Sequence, residues 1–544
     1  MVVDYRITLI AKTAIVLLAL FFSACAVKFP AIESIEPKIG RLGDVITIRG
    51  SGFGDSREES YVTIAGTAPT SSSYYSWQED VILVKVPESG ESGLVYIYVN
   101  GKKSNGMLFS NSASVPLPIQ GEEPGFEPAI TSINPRTGQP GTVVTVTGRN
   151  FGVSREGGGV FFARDFDLQT YNQFPAKARG FIETSELESG YEFWSDREIR
   201  VRVPDGAASG GVEVRTARGN SRPVTFDVSG MPGTKTFSDK SSYTITYAID
   251  VRVQEATRPN SLYLWMPQPV NSPSQQTVSL LSRSIDPFLE NYRGVTLFKL
   301  DNLTAGNVAH IVLSYQVDVY AQETSIKPQS IKQDEKSPLA MYTQPSGIVL
   351  SNNAVVKSRA DAVVGRERNP YSRARMIYEW FIKEMKITET SPVDMTEALE
   401  TRQADSYNAA LLYCSMVRAA GVPCIPIAGV LVNRSRQTIR HYWAEFWIDG
   451  FGWVPVDPVL GTGAVPPSFR QRQDYATYYF GSMDSQRIAF SRGEVTLSQM
   501  DSRGRLVSHN RSYSLQNIWE EAVGGLEFYS SLWGDITITG VYVQ

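Results

Sequence analysis

The sequence predicts a multidomain chain in which all-β, immunoglobulin-like sandwiches come first and an α+β domain comes last. Three observations carry this expectation. At 544 residues the chain is long enough for three or four domains of about 150 residues each. A segment near the start is repeated about a hundred residues later. Helical periodicity begins only near residue 370.

Composition narrows the function classes. Apolar residues make up 42%, charged residues 20%, and Gly with Pro about 14%, which is the balance of a turn-rich globular chain and excludes wholesale disorder. With 52 Lys and Arg against 56 Asp and Glu, no basic excess exists to neutralise a phosphate backbone, so nucleic acid is not an expected partner. Three cysteines (Cys25, Cys414, Cys424) and three histidines (His310, His441, His509) are too few for a disulfide scaffold or a zinc cluster, and no metal or cofactor is expected.

Residues 1–12 carry Arg6 and Lys12, residues 13–22 (TAIVLLALFF) form an apolar run, and Ser23-Ala24 put small side chains before Cys25. The run is too short to span a bilayer comfortably. This arrangement resembles a bacterial lipoprotein signal, which implies removal of residues 1–24 and lipid attachment at Cys25; Phe22 stands where that pattern usually has Leu. Plain secretion with cleavage nearby is the alternative. Either outcome places the mature chain outside the cytoplasm; the lipoprotein reading puts it in the cell envelope, facing the periplasm or the cell surface, with the membrane as partner through the lipid.

Residues 30–54 (PAIESIEPKIGRLGDVITIRGSGFG) and 128–152 (PAITSINPRTGQPGTVVTVTGRNFG) are identical at 13 of 25 positions. VILVKVP at 81–87 then matches EIRVRVP at 198–204, so the second copy carries 19 extra residues in between. Period-2 alternation bounded by Gly, Pro and Asn predicts short antiparallel strands of a sandwich. Gly52 becomes Asn150 in the second copy; these two residue types best tolerate a left-handed backbone, so the position reads as a turn. GSGFG lacks the spacing of a nucleotide loop and is followed by a strand pattern. The P-x-I-x-S-I-x-P opening and the strand pair ending in G-x-x-F-G resemble the IPT/TIG immunoglobulin-like family, predicting one domain at 29–118 and a second at 127–230. A linker, PLPIQGEEPGFEP, joins them. Residues 234–325 continue in β pattern without repeating the module, predicting a third, divergent sandwich in which His310 is an ordinary strand residue.

From Pro370, the apolar residues Ala374, Ile377, Phe381 and Met385 step by three or four, the mark of a helix. Residues 404–420 (ADSYNAALLYCSMVRAA) form a second helix, stopped by Gly421 and capped by Asp405 or Ser406. Strands follow at 425–432 and 441–448, then the turn Asp449-Gly450 and a hairpin partner ending in Asp457. This order can bring Ser406, His441 and Asp457 together, with His441, Trp443 and Glu445 on one strand face. Taken singly, each has a plainer reading as helix cap, strand residue and turn former.

Arg418-Ala419-Ala420-Gly421-Val422-Pro423, His441-Tyr442-Trp443-Ala444-Glu445 and Trp453 to Pro458 resemble the core motifs of the transglutaminase-like superfamily, so the last domain, 345–544 with its C-terminal extension, is expected to be papain-like. The resemblance implies His441 as acid–base, Asp457 as its orienter, and a Cys nucleophile at the position that Ser406 fills. Cys414, eight residues further along the helix, lies about 12 Å away and about 80° round it, so it does not serve instead. Cys424 reads as a buried small hydrophobe. Its pairing with Cys414 is disfavoured: Cys414 lies about 9 Å before the helix end that Cys424 has just passed, against an α-carbon limit of about 7 Å.

Two functions remain open: an envelope lipoprotein whose non-catalytic or weakly active cleft holds a peptide, protein or cell-wall ligand, and an amide hydrolase or acyl transferase using Ser406, His441 and Asp457. Beyond residue 466 the aromatics Trp519, Tyr529 and Trp533 are assigned to packing.

Overall fold

The computed structural model describes residues 29–543 apart from 88–91, 112–126, 154, 156–157, 169–175, 186–189, 293, 332–338, 390–393, 470–471 and 510. The leader with Cys25, and the linker as far as residue 126, lie outside the described residues. The chain divides into two compact units, residues 1–117 with 499–504 and residues 118–498 with 505–544.

In the first unit, strands Ala31–Glu36, Val45–Ser51, Val81–Lys85 and Tyr74–Trp77 lie side by side in that order, and a second sheet is built on Gly93–Val99. Alternate residues of both sheets close the core: Ile35, Ile46, Ile48 and Ile82 from one, Val62, Ile97 and Phe109 from the other. The second unit opens with the same design, Ala129–Asn134, Val143–Arg149, Glu198–Arg202 and Tyr191–Trp194, with its first register shift at the equivalent place. Trp77 Nε1 donates to the Phe53 carbonyl and Trp194 Nε1 to that of Phe151. The Val62 and Val160 amides donate to the hydroxyls of Tyr74 and Tyr191. The inserted residues of the second copy lengthen one hairpin, Gly159–Leu168 with Ala176–Glu183.

The turn expected at Gly52 and Asn150 is left-handed in both copies, with φ of 75° and 62°. Two residues earlier, Gly50 and Gly148 are required for a different reason. A Cβ there would lie 1.9 Å from the Ala31 carbonyl oxygen or 2.1 Å from that of Ala129, inside the neighbouring strand.

Next come β1, Gly233–Pro267, and β2, Val308–Ile326, paired antiparallel from Gly233 opposite Ile326 to Arg252 opposite Val308. The helical layer follows: α1 Ala354–Val364, α2 Pro370–Glu384, α3 Met395–Thr401 and α4 Ser406–Ala419. The expected apolar positions of α2 are all buried. Asn369 caps it, and Pro370 occupies the first turn, where its missing N–H costs nothing. A four-stranded antiparallel sheet packs on α4; β3 Cys424–Val432, β4 Thr438–Ile448, β5 Gly452–Val456 and β6 Arg487–Arg492 lie in the order β5, β4, β3, β6.

The last strands, β7 Glu520–Trp533 and β8 Thr537–Val543, hydrogen-bond to β1. The C terminus therefore completes the sheet opened at Gly233, because β2 pairs one edge of β1 and β7 and β8 pair the other, as at Thr244 between Gln316 and Gly540. Trp519 is fully buried against that sheet and meets Trp533 edge-on at 4.8 Å. His310 lies exposed on β2, 2.6 Å from Asp250. At the start of β1, Lys235 pairs with Asp205 of the second module and donates to the Trp453 carbonyl at 2.8 Å. Asp205 also accepts the Trp453 amide at 3.1 Å, so a buried ion pair joins that module to β5.

Candidate functional site

Asp405 caps α4 by accepting the Asn408 amide at 2.9 Å, and it is held from outside by Arg511. This leaves Ser406 as the first helical residue. Its Oγ accepts the backbone amide of Tyr442 at 3.2 Å, which sets α4 against β4 beside His441. His441 lies opposite Gly429 of β3, where a Cβ would fall 2.0 Å from the Ile488 carbonyl oxygen of β6. Only glycine lets β6, which carries Arg487, approach at that level.

His441 Nε2 meets Asp457 Oδ2 at 2.8 Å, with the two side chains 3% and 0% exposed. A carboxylate at Nε2 places the proton there and leaves Nδ1 as the basic nitrogen. Asp457 follows β5 and caps a single helical turn, its Oδ1 accepting the amides of Val459 at 3.1 Å and Leu460 at 2.9 Å. The sequence-predicted residues are thus assembled in part. His441 and Asp457 are in direct contact, while Ser406 reaches them through the Tyr442 amide; among the described residues no hydrogen bond joins Ser406 Oγ to the His441 ring.

Arg487, at the start of β6, was missed by the sequence reading. Its Nη1 donates to Asp457 Oδ2 at 3.1 Å, the same oxygen that receives His441, and its Nη2 donates to Asp484 at 2.7 Å. Tyr479 adds a hydroxyl to Asp484 at 2.9 Å. Burial alone would raise both carboxyls. The His441 and Arg487 partners outweigh it and hold Asp457 below its ordinary range, and Arg487 does the same for Asp484. The only sequence signal was D-S-Q-R running into the apolar stretch Ile488-Ala489-Phe490, where a charged residue must find a partner. The guanidinium also sits 5.0 Å above the Trp443 ring, which in turn lies along His441. On the same strand face Glu445 accepts from Arg492 of β6 at 2.5 Å. The expected common face of His441, Trp443 and Glu445 is present, turned toward buried cations.

A cavity of about 630 Å³ lies elsewhere, between the second module around Phe161 and Phe181 and the stretch around Gln268 and Tyr315; it contains none of Ser406, His441 and Asp457.

Comparison with known proteins matches residues 357–458 to the transglutaminase-like superfamily and residues 30–115 and 128–245 to the IPT/TIG domain. An uncharacterized protein of Haemophilus influenzae is 23% identical over 306 residues, spanning 47% of this chain and 80% of its own length. A cyclomaltodextrin glucanotransferase of Paenibacillus macerans is 33% identical over 82 residues, 15% of this chain and 11% of that enzyme. A crystal structure of a candidate cysteine protease from Cytophaga hutchinsonii aligns with a TM-score of 0.35 and 16% identity, over 57% of this chain and 92% of that one. The chain carries two IPT/TIG domains followed by a transglutaminase-like core domain.

Proposed function

We propose that the chain is a cell-envelope lipoprotein, anchored through Cys25, whose transglutaminase-like domain binds a peptide or cell-wall ligand with little or no turnover. The observation that carries this reading is Ser406 at the first position of α4, where the superfamily pattern has Cys. A thiol at a helix N-terminus beside an imidazole is readily stored as its anion, whereas a hydroxyl must lose its proton during attack. One detail of the site weighs the same way: Ser406 Oγ is engaged by the Tyr442 amide.

A second reading has one specific observation in its favour. The 2.8 Å contact of His441 with Asp457 is the base–orienter pair that a Ser-His-Asp amide hydrolase or acyl transferase uses, here made through Nε2 with Nδ1 left as the base.

One set of variants separates the two. The binding reading expects equal, near-zero amide hydrolysis by the wild type and Ser406→Ala, with retained peptide binding. It also expects Ser406→Cys to react with iodoacetamide at neutral pH faster than free cysteine, and His441→Ala to slow that reaction. Wild-type hydrolysis that disappears in Ser406→Ala makes the protein a serine enzyme. A Ser406→Cys thiol no faster than free cysteine removes Ser406 from the site.

A further inference from the structure

Cys414 and Cys424 are brought together by the fold, contrary to the sequence expectation. Their sulfurs lie 3.4 Å apart, both residues are fully buried, and they belong to one apolar cluster with Tyr413, Val417 and Phe446. The expectation counted the helix between Cys414 and its end but not the return path. After Ala419 the chain reverses at Gly421, with φ of 79°, and runs extended into β3. Three extended residues cover about 10 Å, which cancels the about 9 Å by which Cys414 precedes the helix end.

We propose that Cys414 and Cys424 are joined by a disulfide in the exported protein, a covalent cross-link between α4 and β3. The sulfurs need to approach by about 1.4 Å to reach a bond of about 2.05 Å. Each sits on an element whose ends are fixed independently. Arg418 Nε donates to the Cys424 carbonyl at 2.7 Å, its Nη1 donates to the Gln344 carbonyl at 2.8 Å, and Asp405 caps the far end of α4. If Cys25 is consumed by lipid, the remaining cysteines make one even pair with no other thiol in the chain to compete.

The cross-link bears on the site already described. It ties the helix that begins at Ser406 to the strand whose Gly429 lies opposite His441, and so fixes one side of the site to the other.

The chemistry is thiol–disulfide exchange with a small disulfide or an oxidoreductase disulfide as oxidant. One cysteine thiolate attacks a sulfur of the oxidant, forming a mixed disulfide and expelling one thiolate. The second cysteine thiolate then displaces the other half of the oxidant. Two protons leave the protein thiols, two electrons pass to the oxidant, and its disulfide becomes two thiols. Because both sulfurs are buried in the folded protein, the exchange takes place before α4 closes on β3.

The test begins with reduced, unfolded full-length chain, refolded in a buffer of oxidised and reduced glutathione, acid-quenched and alkylated with iodoacetamide in denaturant. Trypsin cuts after Arg402, Arg418 and Arg434, so the cross-link joins two peptides, 403–418 and 419–434. The expected product is that linked pair, two hydrogens lighter than the sum of the free peptides and without alkylation at either cysteine. Cys414→Ser should leave Cys424 alkylated once. Alkylation of both Cys414 and Cys424 in the refolded wild type overturns the proposal. The same measurement on protein from the envelope fraction, with thiols blocked at lysis, should also give the linked pair. Recovery of the chain from the cytosol instead overturns the export reading while the refolding result still decides the cross-link.

Discussion

Asp457→Asn is the sharpest perturbation of the site, because it removes one charge while keeping the shape. Four donors converge on the Asp457 carboxylate: the amides of Val459 and Leu460 on Oδ1, and His441 Nε2 with Arg487 Nη1 on Oδ2. An asparagine offers one acceptor oxygen. If that oxygen stays on the two amides, its NH2 faces two donors; His441 can answer by changing tautomer, but Arg487 cannot. Arg487, its side chain 5% exposed, is then left with Asp484 alone. Breaking a buried pair by removing one partner costs about 3–5 kcal/mol, and the surviving Asp484 contact argues for the lower end, about 3 kcal/mol. The pH dependence gives an independent check. Asp457 is held below its ordinary value in the folded chain, so the unfolded chain binds more protons between the folded pKa and about 3.9. Its stabilising effect is therefore complete above about pH 4 and is lost as pH falls through the folded value, with a slope of up to about 1.4 kcal/mol per pH unit. The substituted amide cannot titrate, so the acid slope of Asp457→Asn should fall by that one group while the Asp484 contribution, of the same sign, remains. A chain of several units has no single unfolding free energy, so the readout is hydrogen exchange of peptides across β4 and β5 in increasing urea. Unchanged protection and an unchanged acid slope would falsify the Asp457 network.

Three further outcomes are expected. Gly429→Ala should push β6 off β3 and destabilise the sheet by about 1–3 kcal/mol, read as a lower urea midpoint for those peptides; an unchanged midpoint contradicts the 2.0 Å approach of Ile488. Cys25→Ala should move the protein from the membrane fraction to the soluble one, and retention at the membrane removes the lipid-anchor reading. A chain starting at residue 118 should keep a cooperative melt, whereas one starting at Thr234 should melt several degrees lower. The shorter chain strips Asp205 from Lys235, whose side chain is 3% exposed, and equal melting of the two chains would refute that coupling.

The buried pairing of Asp205 with Lys235 is not visible in the sequence, and the reason is physical. Local alternation, turn residues and a repeat are written into neighbouring positions, so the two repeated β modules, α2 and the β3 to β5 hairpins were legible from spacing, while their IPT/TIG assignment came from motif resemblance. Which sheet a strand joins is not local. Nothing in the residues of β7 says that β1, some 270 positions earlier, offers it an edge. Likewise Asp205 reads as a turn residue after Pro204 until Lys235 and Trp453 are placed around it.

The site shows the same division. His441 and Asp457 were assigned from the resemblance of their motifs to the transglutaminase-like superfamily, and the hairpin explains why they meet: β4 and β5 are joined by a short turn, and the register of Ala444 opposite Val456 carries Asp457 back toward His441. Arg487 enters from β6, thirty residues beyond Asp457, on the far side of β3. Its presence changes what the pair can do. With His441 neutral, Asp457, Asp484 and Arg487 sum to one negative charge in a nearly water-free space, and an imidazolium formed at His441 would bring that sum to zero. The network can therefore accept a proton taken from Ser406 without leaving a net charge buried. Yet Arg487 also fixes Asp457 when His441 is neutral, so the carboxylate keeps its place without the histidine. A residue with that effect keeps the site folded whether or not it turns over substrate, which is why position 406, and not the His441 and Asp457 contact, decides between a binding site and an enzyme.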